Sequence, residues 1–385
     1  MLKQKGITTT QTILIIAVIL LLILIISRAN RRQDLQEGVP EEIDIDIPGS
    51  MVKKISLLAT SSYAGRVDWS HANNLIAFSK VGDDGYADIY TMNSDGSNKT
   101  CLTCGAVGVP QFYNDQPVWH PSGDYIIFQA QDPNLSSLST YLVQGGAGLN
   151  NNLWAISKDG QRSWQLTHIE DREATLHSHF SHDGKKLLWA ARELQDGKKA
   201  QWMLKIADFI VDGGGPRLAN EKTYQPMGEN VFYESHSFTH DGQKIIFSAS
   251  YTAPAFDLDI YILDLRTNKL TNLTNSPGEW DEHSILSPNN RLAWISSKGY
   301  SFTPSANWGA TLKTDLWLMN LDGSNKTKVT HFNEPGYPEY ESGKRVIAAD
   351  NSWNKTGDKL VLTLGVIKGK TVGSRVVLVE FNSPQ

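Results

Sequence analysis

Ten histidines are spread over the 385 residues of this chain, and four of them fall at one position of a recurring sequence unit. That position is the start of a short apolar segment that opens each unit. Acidic, amide and guanidinium side chains occupy it in the other units. The whole set comprises Arg66, Asp115, Gln116, His177, His179, Glu234, His236, Asp281, Glu282, His283 and Asp350. If the units pack around one axis, these side chains surround a common space.

Imidazoles and carboxylates in one space are suited to bind a divalent metal ion, or to transfer protons to and from an anionic substrate. The candidate metal ligands are His177, His236 and His283, one from each of three consecutive units. Successive side chains of a strand point to opposite faces, so only part of the set can face inward. The alternative is a water-filled polar space that holds no metal and needs no cofactor. The pattern assigns no residue a catalytic role.

Motifs with stronger chemical signatures are absent from the sequence. It contains no phosphate-binding GxxxxGK[ST] loop, no GxGxxG and no GxSxG nucleophile elbow. Cys101 and Cys104 form a C-x-x-C motif without the second pair that a zinc site would need, so we expect a small local disulfide or simple packing. Lys and Arg number 36 against 41 Asp and Glu, and this net charge of −5 argues against a nucleic-acid partner.

The elements that must position these residues recur six times. Each unit begins with a large apolar residue, followed by a polar turn and an alternating apolar strand, and the copies begin at Trp69, Trp119, Phe180, Phe238, Leu286 and Trp353. A second short strand of the type D-I-Y, N-L-W or D-L-W follows in four units, then a hairpin turn and a last strand that ends in L-T or V-T. The segments have strand length and no helical periodicity, which predicts four strands per unit.

Six four-stranded units predict an all-β fold, a six-bladed β-propeller over residues 51–385 whose innermost strands line a central channel. The sixth unit stops after its third strand. Residues 54–60, near the start, resemble the last strand of a unit whose earlier strands are missing. We therefore predict that this N-terminal strand supplies the outer strand of the last blade and closes the ring.

The units resemble the WD40-like repeat of TolB-type six-bladed propellers, which carry S-P-D-G, D-I-Y, D-G-S and L-T in the same order. The resemblance covers residues 52–382 and implies the propeller fold and a cell-envelope setting. It implies no particular activity, because the members of that family differ in function. Oligogalacturonate lyases are propellers with similar repeats and a histidine-rich metal site, but their ligand motif does not match this chain residue by residue.

The first 32 residues predict a membrane or export segment, with fourteen unbroken apolar residues at 13–26. With its uncharged flanks this run can span a bilayer, and it also has the size of a signal-peptide core. The absence of a small-residue cleavage site favours an uncleaved anchor, and a prepilin-like leader is a further alternative. Residues 33–50 are acidic and predict a solvated linker. We expect membrane attachment through the helix and a propeller on the extracytoplasmic side, periplasmic or extracellular.

The long connections of the predicted propeller share one face, and they carry aromatic residues that include Tyr113, Tyr233, Tyr300, Trp308 and Tyr337. Exposed aromatics beside polar groups suit the recognition of sugars or peptides, although such side chains also pack loops down. We expect this loop-rich face to bind an envelope protein or a glycan without catalysis. The alternative function is a metal-dependent enzyme, such as a polysaccharide lyase, that uses the channel histidines and carboxylates. The oligomeric state stays open.

Overall fold

The computed structural model describes residues 41–385 except 62–64, 137, 139, 144–146, 196–198, 251–256 and 302–310. This part of the chain folds into β-strands that form six antiparallel sheets, with a single helical turn, α1 (Thr140–Val143). In blades 1 to 5 the strand nearest the axis comes first along the chain, and in blade 6 it follows the two N-terminal strands. The predicted all-β fold with six blades is confirmed.

The first five blades follow the chain in order. Blade 1 consists of β3 (Val67–Trp69), β4 (Leu75–Val81), β5 (Ala87–Asn93) and β6 (Thr100–Cys101). Blade 2 consists of β7 (Asn114–Trp119), β8 (Tyr125–Gln131), β9 (Asn151–Ser157) and β10 (Ser163–Gln165). Blade 3 consists of β11 (Ala174–Phe180), β12 (Lys186–Gln195), β13 (Lys199–Asp212) and β14 (Gly215–Tyr224). Blade 4 consists of β15 (Phe232–Phe238), β16 (Lys244–Ser250), β17 (Asp259–Asp264) and β18 (Leu270–Asn272). Blade 5 consists of β19 (Asp281–Leu286), β20 (Arg291–Ser296), β21 (Asp315–Asn320) and β22 (Thr327–Lys328).

Blade 6 joins the two ends of the described chain. Its strands are β23 (Arg345–Trp353), β24 (Lys359–Lys368), β25 (Thr371–Phe381), β2 (Val52–Ser61) and β1 (Glu42–Asp44). Strand β2 runs antiparallel to β25, from the pair Val52 and Phe381 to the pair Ser61 and Ser374. The innermost strands contact one another in turn around the axis, and β23 contacts β3 to complete the ring. The predicted closure by the N-terminal strand is confirmed.

Strand β1 adds a fifth strand to blade 6, within the segment that the sequence analysis assigns to a linker. Glu42 pairs with Ser56 and Asp44 with Lys54 across the β1–β2 ladder. Isoleucines at 43, 45 and 47 alternate with acids, which is the two-residue period of a strand with one apolar side. These isoleucines pack on the core shared by blades 5 and 6, so ordered structure extends upstream of residue 51.

A side-chain clamp joins the D-x-[YW] and L-T signatures of the repeat. In blade 5, Thr330 Oγ1 accepts a hydrogen bond from Leu316 N (3.0 Å) and donates one to Asp315 Oδ1 (3.0 Å). The same bonds recur in three other blades, at Asp88 and Thr103, Asn152 and Thr167, and Asp259 and Thr274. The clamp fastens the end of the outer strand to the start of the third strand, which explains why the two signatures occur together.

The predicted anchor (residues 1–32) lies outside the described residues, as does most of the predicted linker. Among the residues that are described, no helix has the length and hydropathy of a membrane span.

Candidate functional site

Backbone bulges place the candidate site on the innermost strands. Strands β7, β11 and β19 each gain extra residues relative to the strand beside them, and the first extra residue has a positive φ: 58° at Gln116, 47° at His177 and 53° at His283. Bulges also occur at His236 in β15 and next to Asp350 in β23. A bulge redirects a side chain, and a left-handed conformation is costly for residues other than glycine. Such strain is concentrated at functional sites.

Two histidines and one glutamate converge in the channel. His177, Glu234 and His283 each offer one ligand atom, and these three atoms lie within 4.8 Å of one another. Glu234 Oε1 is 2.7 Å from His177 Nδ1 and 3.7 Å from His283 Nδ1. The two imidazole rings stack, with centroids 5.5 Å apart. We call this set the channel triad; it comes from blades 3, 4 and 5.

Two further carboxylates surround His283. Asp350 Oδ1 lies 3.3 Å from its Nδ1, and Glu282 Oε2 lies 3.3 Å from its Nε2. Glu282 Oε2 also accepts a hydrogen bond from Trp280 Nε1 (2.9 Å), which fixes that side chain. The triad is therefore enclosed by more negative than positive groups.

Several buried polar atoms at this level of the channel have no hydrogen-bond partner. In the triad they are His283 Nδ1 and Glu234 Oε1, and the 2.7 Å contact of Glu234 Oε1 with His177 Nδ1 is not aligned for hydrogen bonding. Around it, Gln116 Oε1, Glu282 Oε1 and Asn351 Oδ1 also lack a partner. A buried polar atom without a partner costs about 1–3 kcal/mol. Converging lone pairs of nitrogen and oxygen fit a divalent cation, because one ion satisfies all of them at once.

Burial and neighbouring charges shift the pKa values of the groups in the site in different directions. Burial lowers the pKa of His177 to about 3, so this imidazole is neutral and keeps a free lone pair. Burial also disfavours a charged His283, but Asp350 and then Glu282 outweigh it and raise the His283 pKa to about 10. Burial raises the pKa of Glu234, and burial together with Glu234 holds the pKa of Glu282 well above its usual range. His283 is therefore protonated at neutral pH, and a metal ion bound at its Nδ1 would have to displace that proton, whereas the neutral His177 offers its lone pair directly.

His236, His179 and Arg66 lie beside the triad but are engaged elsewhere. His236 Nε2 is 2.5 Å from Ser248 Oγ, and its ring centroid is 6.1 Å from that of His283. Arg66 donates to Ser178 O (2.9 Å) and contacts His179 Nδ1 at 2.8 Å. Of the three predicted metal ligands, the structure brings His177 and His283 together with Glu234, whereas His236 contacts Ser248 instead.

Asp115 and Asp281 lie outside the channel triad, and their carboxylates accept hydrogen bonds from other residues. Asp115 accepts hydrogen bonds from Ser79 Oγ and from Gln116 N. Asp281 accepts from Trp294 Nε1 (3.0 Å) and Ser276 Oγ, and burial raises its pKa to about 6. Their positions follow from alternation along a strand, since Asp281 and Glu282 are neighbours and point to opposite sides.

The aromatic residues of the loop-rich face are mostly packed against the protein. Tyr233 is fully buried and donates to Gly228 O, and Tyr113 is buried against the ring of Tyr86. Tyr300 is half-buried, donates to Asp315 Oδ2 and lies under Lys328. Trp308 lies outside the described residues.

Tyr337 is another aromatic residue of that face that keeps part of its surface accessible. Tyr337 is half-buried and stacks flat on His331, with centroids 3.8 Å apart and planes 4° from parallel. The pairing of these two rings could not be predicted from the repeat, because neither residue is part of it.

The second group of possible metal ligands is Asp88, Cys101 and Cys104. The two cysteines form a disulfide, so their sulfurs are not free thiolates. This confirms the expectation of a small local disulfide. Disulfides persist in oxidising compartments such as the periplasm or the extracellular space.

No protein-family model and none of the curated proteins matches the chain. Solved structures of similar fold include a gluconolactonase from Xanthomonas campestris, with 11% identity, a TM-score of 0.50 and coverage of 89% of this chain and 99% of that chain. A putative TolB from Agrobacterium tumefaciens has 15% identity, a TM-score of 0.48 and coverage of 70% and 80%. An oligogalacturonate lyase in complex with manganese has 11% identity, a TM-score of 0.48 and coverage of 88% and 97%. At such identities the likeness concerns the fold alone, and the chain is a six-bladed β-propeller closed by its N-terminal strand, as its TolB-type repeats predict.

Proposed function

We propose that this protein is a metal-dependent propeller enzyme that binds a divalent cation at the channel triad and acts on a carboxylate-bearing glycan. The observation that carries the proposal is the convergence of His177, Glu234 and His283, whose ligand atoms are buried and not aligned to hydrogen-bond one another. Two imidazoles and one carboxylate suit Zn²⁺, Mn²⁺ or Fe²⁺. Three protein ligands also leave coordination positions open for a substrate oxygen.

The chemistry of the surrounding residues supports an anionic substrate. A divalent cation at the triad would act as a Lewis acid that polarises a carboxylate or carbonyl oxygen. Arg66 is buried near the triad and adds a positive charge, which interacts with those of Asp350 and Glu234. Glu282 lies beside His283, and burial together with Glu234 holds its pKa well above the usual range, which suits it to proton transfer.

The setting that we propose is extracytoplasmic, with attachment to the membrane through residues 1–32. The Cys101–Cys104 disulfide supports an oxidising compartment. The TolB-type resemblance and the apolar run at 13–26 agree with a cell-envelope protein.

A second candidate function is binding of a glycan or an envelope protein by the loop-rich face without catalysis. It is favoured by the stacked pair of His331 and Tyr337, which presents a flat aromatic surface in the connection before blade 6. Amphipathic rings of this kind combine apolar contact with hydrogen bonding, as a sugar requires. Replacement of Tyr337 by alanine should weaken such binding and leave cation binding at the triad unchanged.

The test of the proposed function is cation binding by the full-length chain after removal of bound metal with EDTA. We expect one equivalent of Mn²⁺ or Zn²⁺ in isothermal titration calorimetry. Glu234→Gln preserves the side-chain size and removes a ligand charge, so we expect affinity to fall about tenfold or more. His168→Ala removes an exposed histidine outside the channel and serves as the matched control.

Two outcomes would overturn the proposal. One is a folded wild-type chain that binds neither ion at millimolar concentration. The other is Glu234→Gln binding as tightly as the wild type. A chain that binds the cation is then incubated with uronic-acid oligosaccharides, and mass spectrometry of the products separates an enzyme from a binding protein.

A further inference from the structure

The Cys101–Cys104 disulfide lies at the outer edge of blade 1, within reach of solvent. Cys101 is the last residue of β6 and pairs with Tyr90 across the β5–β6 ladder. Cys104 directly follows Thr103, the clamp threonine of this blade, and is exposed, whereas Cys101 is half-buried. Val107, in the loop that follows, is 94% exposed, so the chain beyond the disulfide is open to solvent as well. Exposed disulfides are the ones that exchange readily with external thiols.

The position of Cys101 has a defined role in two other blades. Asn272 occupies it in blade 4 and Lys328 in blade 5, and each pairs with the third strand at the same place. Asn272 Nδ2 donates to Asp259 Oδ2 (2.7 Å), and Lys328 Nζ lies 3.2 Å from Asp315 Oδ2. In both blades the clamp aspartate thus receives a donor on the oxygen that the clamp threonine leaves free.

Blade 1 supplies no such donor while the disulfide is intact. Asp88 is buried, and Thr103 Oγ1 donates to its Oδ1 (2.6 Å). Asp88 Oδ2 lies 3.4 Å from Cys104 Sγ and receives no N–H or O–H from the described residues. A disulfide sulfur carries no proton, whereas a thiol at this place would donate to Oδ2. Because a buried acceptor without a donor is destabilised, the surroundings of Asp88 favour the reduced state.

The other sulfur already has a donor. The backbone N–H of Cys104 donates to Cys101 Sγ (3.1 Å). A hydrogen bond to the charged form of a group stabilises that form, so this N–H favours a thiolate at Cys101. A more stable thiolate also leaves faster in disulfide exchange. Cys101 is therefore the leaving group when an external thiolate attacks Cys104.

We propose that Cys101–Cys104 is a redox-active disulfide that oxidises an external dithiol. One thiolate of the dithiol attacks Cys104 Sγ, the S–S bond breaks, and its electron pair stays on Cys101. The second thiolate attacks the mixed disulfide at the reductant's own sulfur and releases Cys104, which takes a proton from water and donates a hydrogen bond to Asp88 Oδ2. The dithiol loses two electrons and two protons in total, and the two cysteines gain them. The reaction needs no metal ion and is independent of the channel triad.

The experiment holds the full-length chain, without denaturant or oxygen, in about 10 mM reduced and about 0.1 mM oxidised glutathione, two molecules of which supply the two thiols. Free thiols are then alkylated with iodoacetamide and counted by mass spectrometry of the intact chain, and tryptophan fluorescence monitors the fold. We expect at least about half of the chains to be reduced with native fluorescence, because redox-active disulfides are reduced in such a buffer and structural ones stay oxidised.

Asp88→Asn tests the part played by the buried carboxylate. The clamp accepts an amide at this position, because blade 2 has Asn152 there, bonded to Thr167. We expect the equilibrium constant for reduction to fall about tenfold in this variant, since the Cys104 thiol loses a charged acceptor. Asp259→Asn makes the same change in blade 4, which contains no cysteine, and should leave the constant unchanged.

Two outcomes would overturn the proposal. One is a disulfide that stays oxidised in the glutathione buffer, or that is reduced only when the native fluorescence is lost. The other is an equilibrium constant for Asp88→Asn that is no lower than that for Asp259→Asn, which would leave the carboxylate beside Cys104 without a part in the exchange.

Discussion

The repeated Asp–Thr clamp makes a quantitative prediction about stability, because four blades carry the same hydrogen bonds with different acceptors. Thr→Val keeps the shape of the side chain and removes the hydroxyl. In blade 5 Leu316 N donates to Thr330 Oγ1 at 3.0 Å, and the change leaves this N–H without its acceptor. It also removes a hydrogen-bond donor from Asp315. An unsatisfied buried N–H costs about 1–3 kcal/mol, and a lost bond to a charged acceptor costs a similar amount.

We therefore expect Thr330→Val to lower the free energy of unfolding by about 3 kcal/mol. In blade 2 the acceptor of Thr167 is the neutral amide oxygen of Asn152, at 3.1 Å, and Thr167 is only half-buried. Neutral hydrogen bonds are worth roughly half as much as charge-assisted ones. Thr167→Val should therefore cost about 1 kcal/mol less than Thr330→Val.

The assay is urea unfolding of the full-length chain, followed by tryptophan fluorescence. Thr330→Ser retains the hydroxyl and is the matched control, with an expected loss of less than about 1 kcal/mol for one methyl group. The reasoning fails if Thr330→Ser costs as much as Thr330→Val, or if Thr167→Val is the more damaging of the two valine variants.

Three further predictions concern the ring, the disulfide and a buried carboxyl group. Ile55→Asp places a charge in the buried face of β2 and should open blade 6, detected as faster proteolysis near residue 61 than in the exposed variant Lys53→Asp. Cys101→Ser with Cys104→Ser removes a very short loop closure and should cost about 2 kcal/mol, so an unchanged unfolding midpoint would contradict the entropic argument. Burial raises the pKa of Asp315 to about 6 from its ordinary 3.8, so the folded state binds the proton more tightly than the unfolded state. The unfolding free energy should fall as pH rises from about 4 to 6. Asp315→Asn introduces the amide that Asn152 provides in blade 2, and it should reduce this dependence on pH. Equal slopes in the two proteins would refute the raised pKa of Asp315.

The repeat could be predicted from sequence because it is enforced by local chemistry. Turn residues, the alternating apolar strands and the paired D-x-[YW] and L-T signatures each correspond to a hydrogen bond or a buried face in the structure. The closing strand β2 could be predicted because the last unit lacked one strand. Strand β1 was not predicted, because the acidic composition of this segment indicated a solvated linker and the alternation of isoleucine and acid was given less weight.

The site was only partly predictable. Register placed His177, Glu234, Glu282, His283 and Asp350 near one channel, and the structure brings them into contact distance. Register alone did not tell which of two neighbours, such as Asp281 and Glu282, faces the channel, nor that Asp115 is bound by Ser79 of blade 1. The bulges that redirect His177 and His283 were not predicted either, because no sequence signal marks where a bulge falls.

Closure of the ring by β2 also constrains how the chain is made. Strands β1 and β2 are synthesised before the other strands of blade 6, yet β25, the partner of β2, begins at residue 371, about three hundred residues later. A ribosome adding about 5–20 residues per second leaves β2 without that partner for tens of seconds. An apolar strand with a free edge is prone to pair with other chains, and charged residues beside it oppose such pairing. The acids at 41, 42, 44 and 46 stand directly upstream, so the segment that extends blade 6 in the finished protein also protects the nascent one from aggregation.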